Sequence, residues 1–451
     1  MIKKLRLINF KSFKDVELDV GQLTLLLGTN ASGKSNLRDA FRFLHGIGRG
    51  YAIADIIGGK YGEGGERVWG GIRGGPREIV FGDEKNFTLE VNLNIELDSK
   101  SRTTRYHITV DPGYNNLPGK IISEWLRFED SISSDYIFWS ENAFEDFGVL
   151  ITLVYKPQNT DTKEGEKPSV LNAPSFGGDK NQIDDSFPKN SDYESINNFN
   201  SIPVITQIPE SKNENISIHI KEILKEVISS IRSLRFLDLN LEVMRKPSLP
   251  GQNILSDQGA NLSSVLLDIC SNPQRKGILV SWLQALTPMD TSDFEFTYDQ
   301  RGYVLVNLVE SNGRKTSAYS ASDGTLRFLA MLAALLGPET ARCYFFEELD
   351  NGIHPTRLHL LLQLIEQHVA QGTTQVISTT HSPQLLRLVS PNTLASTSII
   401  YRLPEHAYSQ IKRLYDIPDI QRVLEQDDPA RLLESGWFED AIAFTSDESD
   451  T

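Results

Sequence analysis

Cysteine is nearly absent from this sequence: Cys270 and Cys343 are the only two among 451 residues. That excludes a disulfide framework and a cysteine-based zinc cluster, and it fits a reducing compartment. Long apolar runs are missing too, and none approaches the roughly 20 residues needed to cross a bilayer. The first residues, Met1-Ile2-Lys3-Lys4-Leu5-Arg6, are basic without a continuous apolar stretch, so no secretory signal is expected and a cytoplasmic location is. Basic charge is in deficit. The formal net charge of −15 argues against a surface built for indiscriminate polyanion binding, while leaving room for a local basic groove. There is no internal repeat of fixed period and no sustained heptad pattern that would form a long coiled coil.

What is present is a chain long enough for two or three lobes, with the composition of a globular protein at 39% hydrophobic and 23% charged residues. Its organising stretch is Gly28-Thr29-Asn30-Ala31-Ser32-Gly33-Lys34-Ser35, followed by Asn36. The apolar run Leu23 to Leu27 precedes it, and a helical pattern (Leu37, Phe41, Leu44) follows. Strand, glycine-rich loop and helix in that order make a phosphate-binding loop. The glycines let backbone N–H groups curl around phosphate oxygens, and the helix start adds its positive dipole end. Lys34 is placed to reach the β- and γ-phosphates, and the Ser35 hydroxyl to ligate Mg²⁺.

Strands are expected over Leu5 to Phe13, with a turn at Asn9 to Phe13, and over Val16 to Val20. Gly46 to Pro76 is glycine-dense and carries Arg49, Arg67, Arg73 and Trp69, with Arg77 just beyond; it reads as a mobile surface loop with a capacity to contact nucleotide or nucleic acid. Clean alternation over Phe87 to Leu97, repeated at Tyr106 to Val110, Ile121 to Phe128 and Val149 to Tyr155, predicts an antiparallel meander. Residues 156–201 are polar and read as a long flexible insertion. Apolar stripes then predict helices near 218–231, 261–269 and 276–286, and strands near 294–296 and 304–308.

Three segments of the last third carry chemistry. Ser322-Asp323-Gly324-Thr325 opens a helix with N-cap residues that also make an anion site. Cys343 to Phe346 is a buried strand running into Glu347-Glu348, and two carboxylates at a strand end call for a bound partner. Mg²⁺–nucleotide supplies one. Glu347 would hold the Mg²⁺ shell through water, and Glu348 would position and deprotonate the attacking water. Gln375 to Thr380 is a third apolar-to-polar strand, ending at His381, where an imidazole can contact the γ-phosphate or that water.

With these residues in this order, the chain resembles the ABC-type ATPases of the RecF/SMC/OLD-like group, often described as AAA-family ATPases. The Asn9 to Phe13 turn is similar to that group's opening strand, Gly28 to Ser35 to its Walker A, and Ser322 to Thr325 to its variant signature. Glu347-Glu348 resembles its Walker B with catalytic Glu, Leu349 to Pro355 (with Asp350) its D-loop, and Thr380 to Pro383 its switch histidine. Glu347 stands where most ABC proteins have Asp, although the OLD-like branch commonly has Glu, and the Q-loop glutamine has no assigned position. About 70 residues follow His381, too few for the TOPRIM nuclease domain of OLD-family proteins.

The resemblance implies an α/β fold: a P-loop NTPase head of ABC type, a mixed β-sheet flanked by helices, with an antiparallel β subdomain and an inserted helical lobe. Residues 1–155 would hold the first half of the head and the β lobe, 156–201 the insertion, 202–317 a helical or mixed lobe, and 318–451 the second half of the head. It also implies ATP and Mg²⁺ as ligands and a homodimer or higher oligomer, in which Walker A of one subunit faces the signature of the other. The activity expected is ATP hydrolysis as a switch over a separately encoded protein effector, a nuclease or toxin, in anti-phage defence or genome maintenance. The alternative is a RecF/SMC-like ATPase that binds DNA directly, for which Arg232, Arg235, Arg245 and Lys246 are candidates beside a plainer role as a solvated face. No membrane partner is expected.

Overall fold

The computed structural model describes residues 1–97, 99–113, 118–129, 136–144, 148–153, 169–172, 201–211, 216–287, 290–351, 353–403 and 406–449. The chain begins with β1 (Ile2–Phe10), β2 (Phe13–Asp19), β3 (Leu23–Leu27) and α1 (Lys34–Gly48). Then come α2 (Ile53–Gly58), β4 (Lys60–Tyr61), β5 (Arg67–Trp69) and α3 (Gly75–Glu78). A run of strands follows: β6 (Phe87–Leu97), β7 (Lys100–Asp111), β8 (Lys120–Phe128), β9 (Tyr136–Phe144), β10 (Gly148–Leu153) and β11 (Ser169–Asn172). The middle of the chain holds α4 (Val204–Gln207), α5 (Ile218–Arg232), β12 (Leu234–Leu237), α6 (Leu241–Met244), α7 (Leu262–Ser271) and α8 (Pro273–Leu286). The last part holds β13 (Thr291–Tyr298), β14 (Val304–Glu310), β15 (Lys315–Ser317), α9 (Asp323–Leu336), β16 (Cys343–Phe346), α10 (Pro355–Val369), β17 (Gln375–Thr380), α11 (Gln384–Leu388), α12 (Pro391–Ala395) and β18 (Ser398–Tyr401). It closes with β19 (Gln410–Arg413), α13 (Ile420–Gln426), α14 (Pro429–Glu434) and α15 (Trp437–Ser449).

The protein is α/β, and the chain divides into two compact units. One comprises Met1–Asp19, Ser35–Ser233 and Arg402–Ile411; the other comprises Val20–Lys34, Leu234–Tyr401 and Lys412–Thr451.

The first unit is built on an eight-stranded sheet of order β11-β10-β9-β8-β7-β6-β1-β2, antiparallel throughout. The alternation in the sequence is realised here. Phe87, Leu89, Val91, Leu93 and Ile95 are buried, and Glu90, Asn92 and Asn94 are half-buried on the other face. Helix α5 packs on this sheet with Ile220, Ile223, Leu224, Val227 and Ile231 inward. At Gly48 a Cβ would stand 2.6 Å from the Arg232 backbone nitrogen, so the close approach of α1 to the end of α5 admits only glycine. Strand β9 has no clear alternation, and it extends the meander beyond the strands expected from the sequence. Of the expected insertion, only 169–172 and 201 lie among the described residues; β11 pairs with β10 there.

Residues 46–76 are more ordered than a mobile loop. Helix α1 runs on to Gly48, β4 pairs with β5, and Trp69 is buried with its indole N–H donating to Ile56 O at 3.0 Å. The Arg42 guanidinium lies 4.7 Å from the Trp69 ring centre. Trp69 is therefore a packing pillar and offers no free face to a base.

One inward position of β8 breaks the apolar pattern. Glu124 is fully buried, and its carboxylate accepts from Tyr106 Oη (2.9 Å), Val204 N (2.6 Å) and Ile205 N (3.0 Å), so it caps the first turn of α4. Burial pushes its carboxyl up to about 7, against the pull of those three donors. Between its ordinary value of 4.5 and about 7 the folded protein binds more protons than the unfolded chain. Stability from this group is therefore fully present below that window and lost as pH rises through it, by about 3 kcal/mol. Unfolding in urea between pH 4.5 and 7.5 should show this slope in the wild type and not in Glu124→Gln; equal slopes would refute it.

The second unit holds a six-stranded sheet of order β12-β16-β17-β3-β18-β19, with β12, β16, β17, β3 and β18 mutually parallel. Strands β3, β16 and β17 are buried at every residue, as expected for central parallel strands covered on both faces. Helix α10 packs against β17 and β3, and α12 against β3. A three-stranded sheet, β13-β14-β15, packs with α7 and α8 in the same hydrophobic cluster as α9. No helix among the described residues is long and apolar enough to cross a membrane.

Candidate nucleotide site

The parallel register fixes where the sequence motifs meet. Thr380 of β17 lies opposite Leu27 of β3, and Phe346 of β16 lies opposite Ser378 of β17. The three strands thus end side by side. The first releases the loop Gly28 to Lys34, the second Glu347-Glu348, and the third His381. Open parallel sheets bind ligands at this carboxyl end, where strand tips deliver polar residues without burying them.

The loop is held by its own backbone. Ala31 has φ +65° and Gly33 φ +120°, and Ser32 N donates to Thr29 O at 3.3 Å. Lys34 curls back, with Nζ donating to Gly28 O at 2.7 Å and Thr29 O at 2.8 Å. Thr29, Asn30 and Ala31 form the exposed rim. Burial pushes the Lys34 ammonium down to about 8, and the Glu348 carboxylate pulls it back up. The Ser32 hydroxyl is buried without a hydrogen-bond partner in this concave loop. A buried orphan hydroxyl beside a buried ammonium is the donor set a phosphate would satisfy.

Ser35 and Asn36 continue along α1 in the first unit. Asn36 Nδ2 donates to Ser12 Oγ at 2.8 Å, and Ser409 N donates to Ser12 O at 2.7 Å. One turn on, Asp39 accepts from Lys11 Nζ at 2.6 Å, nearly buried at both ends, and stands 3.0 Å from Arg73 Nη2. Asn9 and Lys11 adopt φ of +54° and +52°. The Asn9 to Phe13 turn is thus shaped to reach α1. Sequence reading missed Lys11, Asp39 and Arg73 as a group; the one signal was an acid set beside the apolar stripe of α1.

At the tip of β16, Glu347 is half-buried and Glu348 exposed. Glu348 has φ +51°, a left-handed conformation that non-glycine residues rarely adopt. Asn351 Nδ2 donates to Glu348 Oε2 at 3.1 Å, and His381 Nε2 stands 3.9 Å from Oε1. Asp350 accepts from Thr380 Oγ1 at 2.7 Å. The structure therefore brings Lys34, Glu348, Asp350 and His381 to one end of one sheet. Among the described residues, no group of three or more His, Cys, Asp or Glu could hold a metal. Mg²⁺ needs few carboxylates from a protein, because it takes most of its ligands from phosphate and water.

Ser322, Asp323 and Gly324 stand at the start of α9. Ser322 Oγ caps it by accepting from Thr325 N at 3.2 Å. Arg245, read from the sequence as a candidate DNA contact beside a plainer role as a solvated face, is committed here. Its Nη2 donates to Ala321 O at 2.9 Å and Asp323 Oδ1 at 2.7 Å.

Comparison with known proteins adds the family. No curated protein matches the sequence. Among solved structures, the chain is similar to an SMC head bound to the C-terminal winged-helix domain of ScpA, at 14% identity and a TM-score of 0.45, covering 91% of this chain and 96% of that one. It is also similar to the SMC head domain from Thermotoga maritima, at 11% identity and a TM-score of 0.39, covering 91% and 98%. A third similar structure is an SMC head with an extended coiled coil bound to the C-terminal domain of ScpA from Pyrococcus furiosus, at 13% identity and a TM-score of 0.45, covering 94% and 98%. A family model described as "AAA domain, putative AbiEii toxin, Type IV TA system" matches residues 23–387, from β3 through α11. That span contains the loop, both strand-end segments and Ser322 to Thr325 together, and the chain belongs to this family of AAA-type ATPases.

Proposed function

We propose that the protein hydrolyses ATP with Mg²⁺, that two copies close around two nucleotides, and that this closure switches a separately encoded effector in anti-phage defence or genome maintenance. The reading is carried by the meeting of Lys34, Glu348 and His381 at the ends of three adjacent parallel strands. Lys34 leaves its loop carbonyls to hold the β- and γ-phosphates, joined by loop N–H groups and the Ser32 hydroxyl. Glu347 would hold the Mg²⁺ shell through water, and Mg²⁺ would supply charge neutralisation of the phosphates when bound. Glu348 takes a proton from water as the water oxygen bonds to the γ-phosphorus. The bond from that phosphorus to the bridging oxygen breaks, and ADP leaves with the electron pair. His381 orients the same water or the γ-phosphate.

Each loop then needs the signature of a second copy to surround its triphosphate, which makes ATP the link between subunits. The family description, with its toxin and toxin–antitoxin terms, supports a role in effector control, and so does the acidic overall charge. Sedimentation with and without Mg-ATP tests the closure: a monomer at saturating ATP refutes it. ATPase rate with duplex DNA, across salt concentrations, separates the two outputs. No stimulation supports a protein effector, whereas strong, steeply salt-dependent stimulation favours direct DNA clamping.

The signature carries its own prediction. Asp323 would face the partner's triphosphate, and Arg245 offsets its charge. Arg245→Gln should lower kcat several-fold, and Asp323→Asn in the same chain should restore it. Failure of the second change to rescue would mean that Arg245 only supports the fold.

A further inference from the structure

Strand β17 is an odd central strand. Its last three residues, Ser378, Thr379 and Thr380, are hydroxyl-bearing and buried at no more than 3% exposure. Burying a hydroxyl is costly unless it is used, so each should have a task. Ser378 Oγ is shared between Thr379 O at 3.1 Å and Phe346 O at 3.3 Å, the latter at the end of the neighbouring β16. Thr379 Oγ1 accepts from the backbone N–H of Glu348 at 3.0 Å. Thr380 Oγ1 donates to Asp350 Oδ1 at 2.7 Å and accepts from Ser382 N at 2.9 Å. All three hydroxyls are spent at the junction of β16 and β17, two of them on the turn carrying Glu348.

That turn needs holding. Glu348 sits at φ +51°, a conformation costing a residue with a Cβ about 1–3 kcal/mol, which persists only where surroundings impose it. The imposing contacts are the Thr379 hydroxyl at the Glu348 N–H and the hydrogen bond from Asn351 N to Glu348 O at 2.9 Å. In this conformation the side chain leaves the strand direction, and its carboxylate lies between the Asn351 amide and the His381 ring.

The geometry points to Thr379 as a positioning residue for hydrolysis: its hydroxyl locks the Glu348 backbone in the left-handed conformation, and Asn351 clasps the carboxylate so presented. This rests on the reading of Glu348 as general base. Thr379 is buried, with its hydroxyl engaged by the Glu348 N–H. It acts only through Glu348, so its contribution falls on the chemical step and not on binding.

Steady-state and single-turnover ATPase measurements on Thr379→Val, Thr379→Ser and Asn351→Ala test this, each alone and combined with Glu348→Gln. Thr379→Val keeps the shape and removes the acceptor. It should lower kcat by about tenfold or more with KM and nucleotide affinity unchanged. Thr379→Ser retains the hydroxyl and should recover most of the rate. Asn351 is exposed, so Asn351→Ala leaves the fold alone and should lower kcat several-fold. In the Glu348→Gln background, both Thr379→Val and Asn351→Ala should lower the residual rate no further. Wild-type kcat in Thr379→Val, or an equal loss in the Gln background, overturns the proposal. If valine is not accommodated, Thr379→Ala removes the same acceptor, and its contrast with Ser decides in the same way. A wild-type rate in Glu348→Gln itself is a different failure: it overturns Glu348 as the base and leaves the clasp without a purpose.

Discussion

Glu348→Gln should cut ATP turnover by about 10²–10⁴-fold while nucleotide stays bound and the closed dimer accumulates. Glutamine keeps the size of the side chain and one acceptor oxygen, so Asn351 retains a partner, but it cannot take a proton from water. The substitution is also benign for the fold: Glu348 is exposed, and its backbone contacts to Thr379 and Asn351 do not involve the carboxylate. Loss of activity would therefore not reflect unfolding, and a melting curve next to the wild type checks this. Phosphate release under single-turnover conditions measures the chemistry, and sedimentation in Mg-ATP measures the trapped species. Slow hydrolysis without an accumulated dimer would separate the catalytic assignment, which would stand, from the sandwich, which would fall.

The site was more legible in the sequence than the sheet that assembles it. Gly28 to Ser35, Glu347-Glu348 and His381 announce themselves locally, because each is an apolar strand that ends abruptly in polar residues. Their adjacency is another matter. It depends on β3 lying between β17 and β18, parallel pairings that join residues more than 350 positions apart. Nothing in periodicity encodes that order. The same limit hid the supporting residues. Thr379 looks like strand filler until its partner 31 positions away is known. Arg245 reads as surface charge until Asp323, 78 positions on, is placed beside it. Glu124 occupies an inward slot that alternation assigns to an apolar side chain, and only the N–H groups of Val204 and Ile205 explain it. Residues 46–76 misled for a related reason: glycine density signals backbone freedom, while the order comes from Trp69 and Ile72 hydrogen-bonding back to α2.

Lys34→Ala should weaken Mg-ATP binding by about 100-fold, and with it remove ATP-dependent dimerisation. The ammonium is the one side-chain cation among Gly28 to Ser35, and burial has already stripped much of its water, which pushes it down to about 8. A desolvated cation gains more from a phosphate than a surface lysine does, because the cost of leaving water was met when the loop folded. Its present partners are two neutral carbonyls, Gly28 O and Thr29 O. Exchanging them for phosphate oxygens replaces hydrogen bonds charged at one end with hydrogen bonds charged at both, and a gain of about 2.7 kcal/mol over the pair gives the hundredfold. Alanine removes that exchange and leaves the strand, the loop backbone and Ser35 in the chain. The effect should therefore appear in binding and not in the stability of the protein alone. Thermal unfolding separates the two. Without nucleotide, Lys34→Ala should melt near the wild type. With Mg-ATP at about 100 times the wild-type Kd, the wild type should gain about 2.7 kcal/mol and the variant only a few tenths. An equal gain in both would mean that Lys34 does not hold the phosphates.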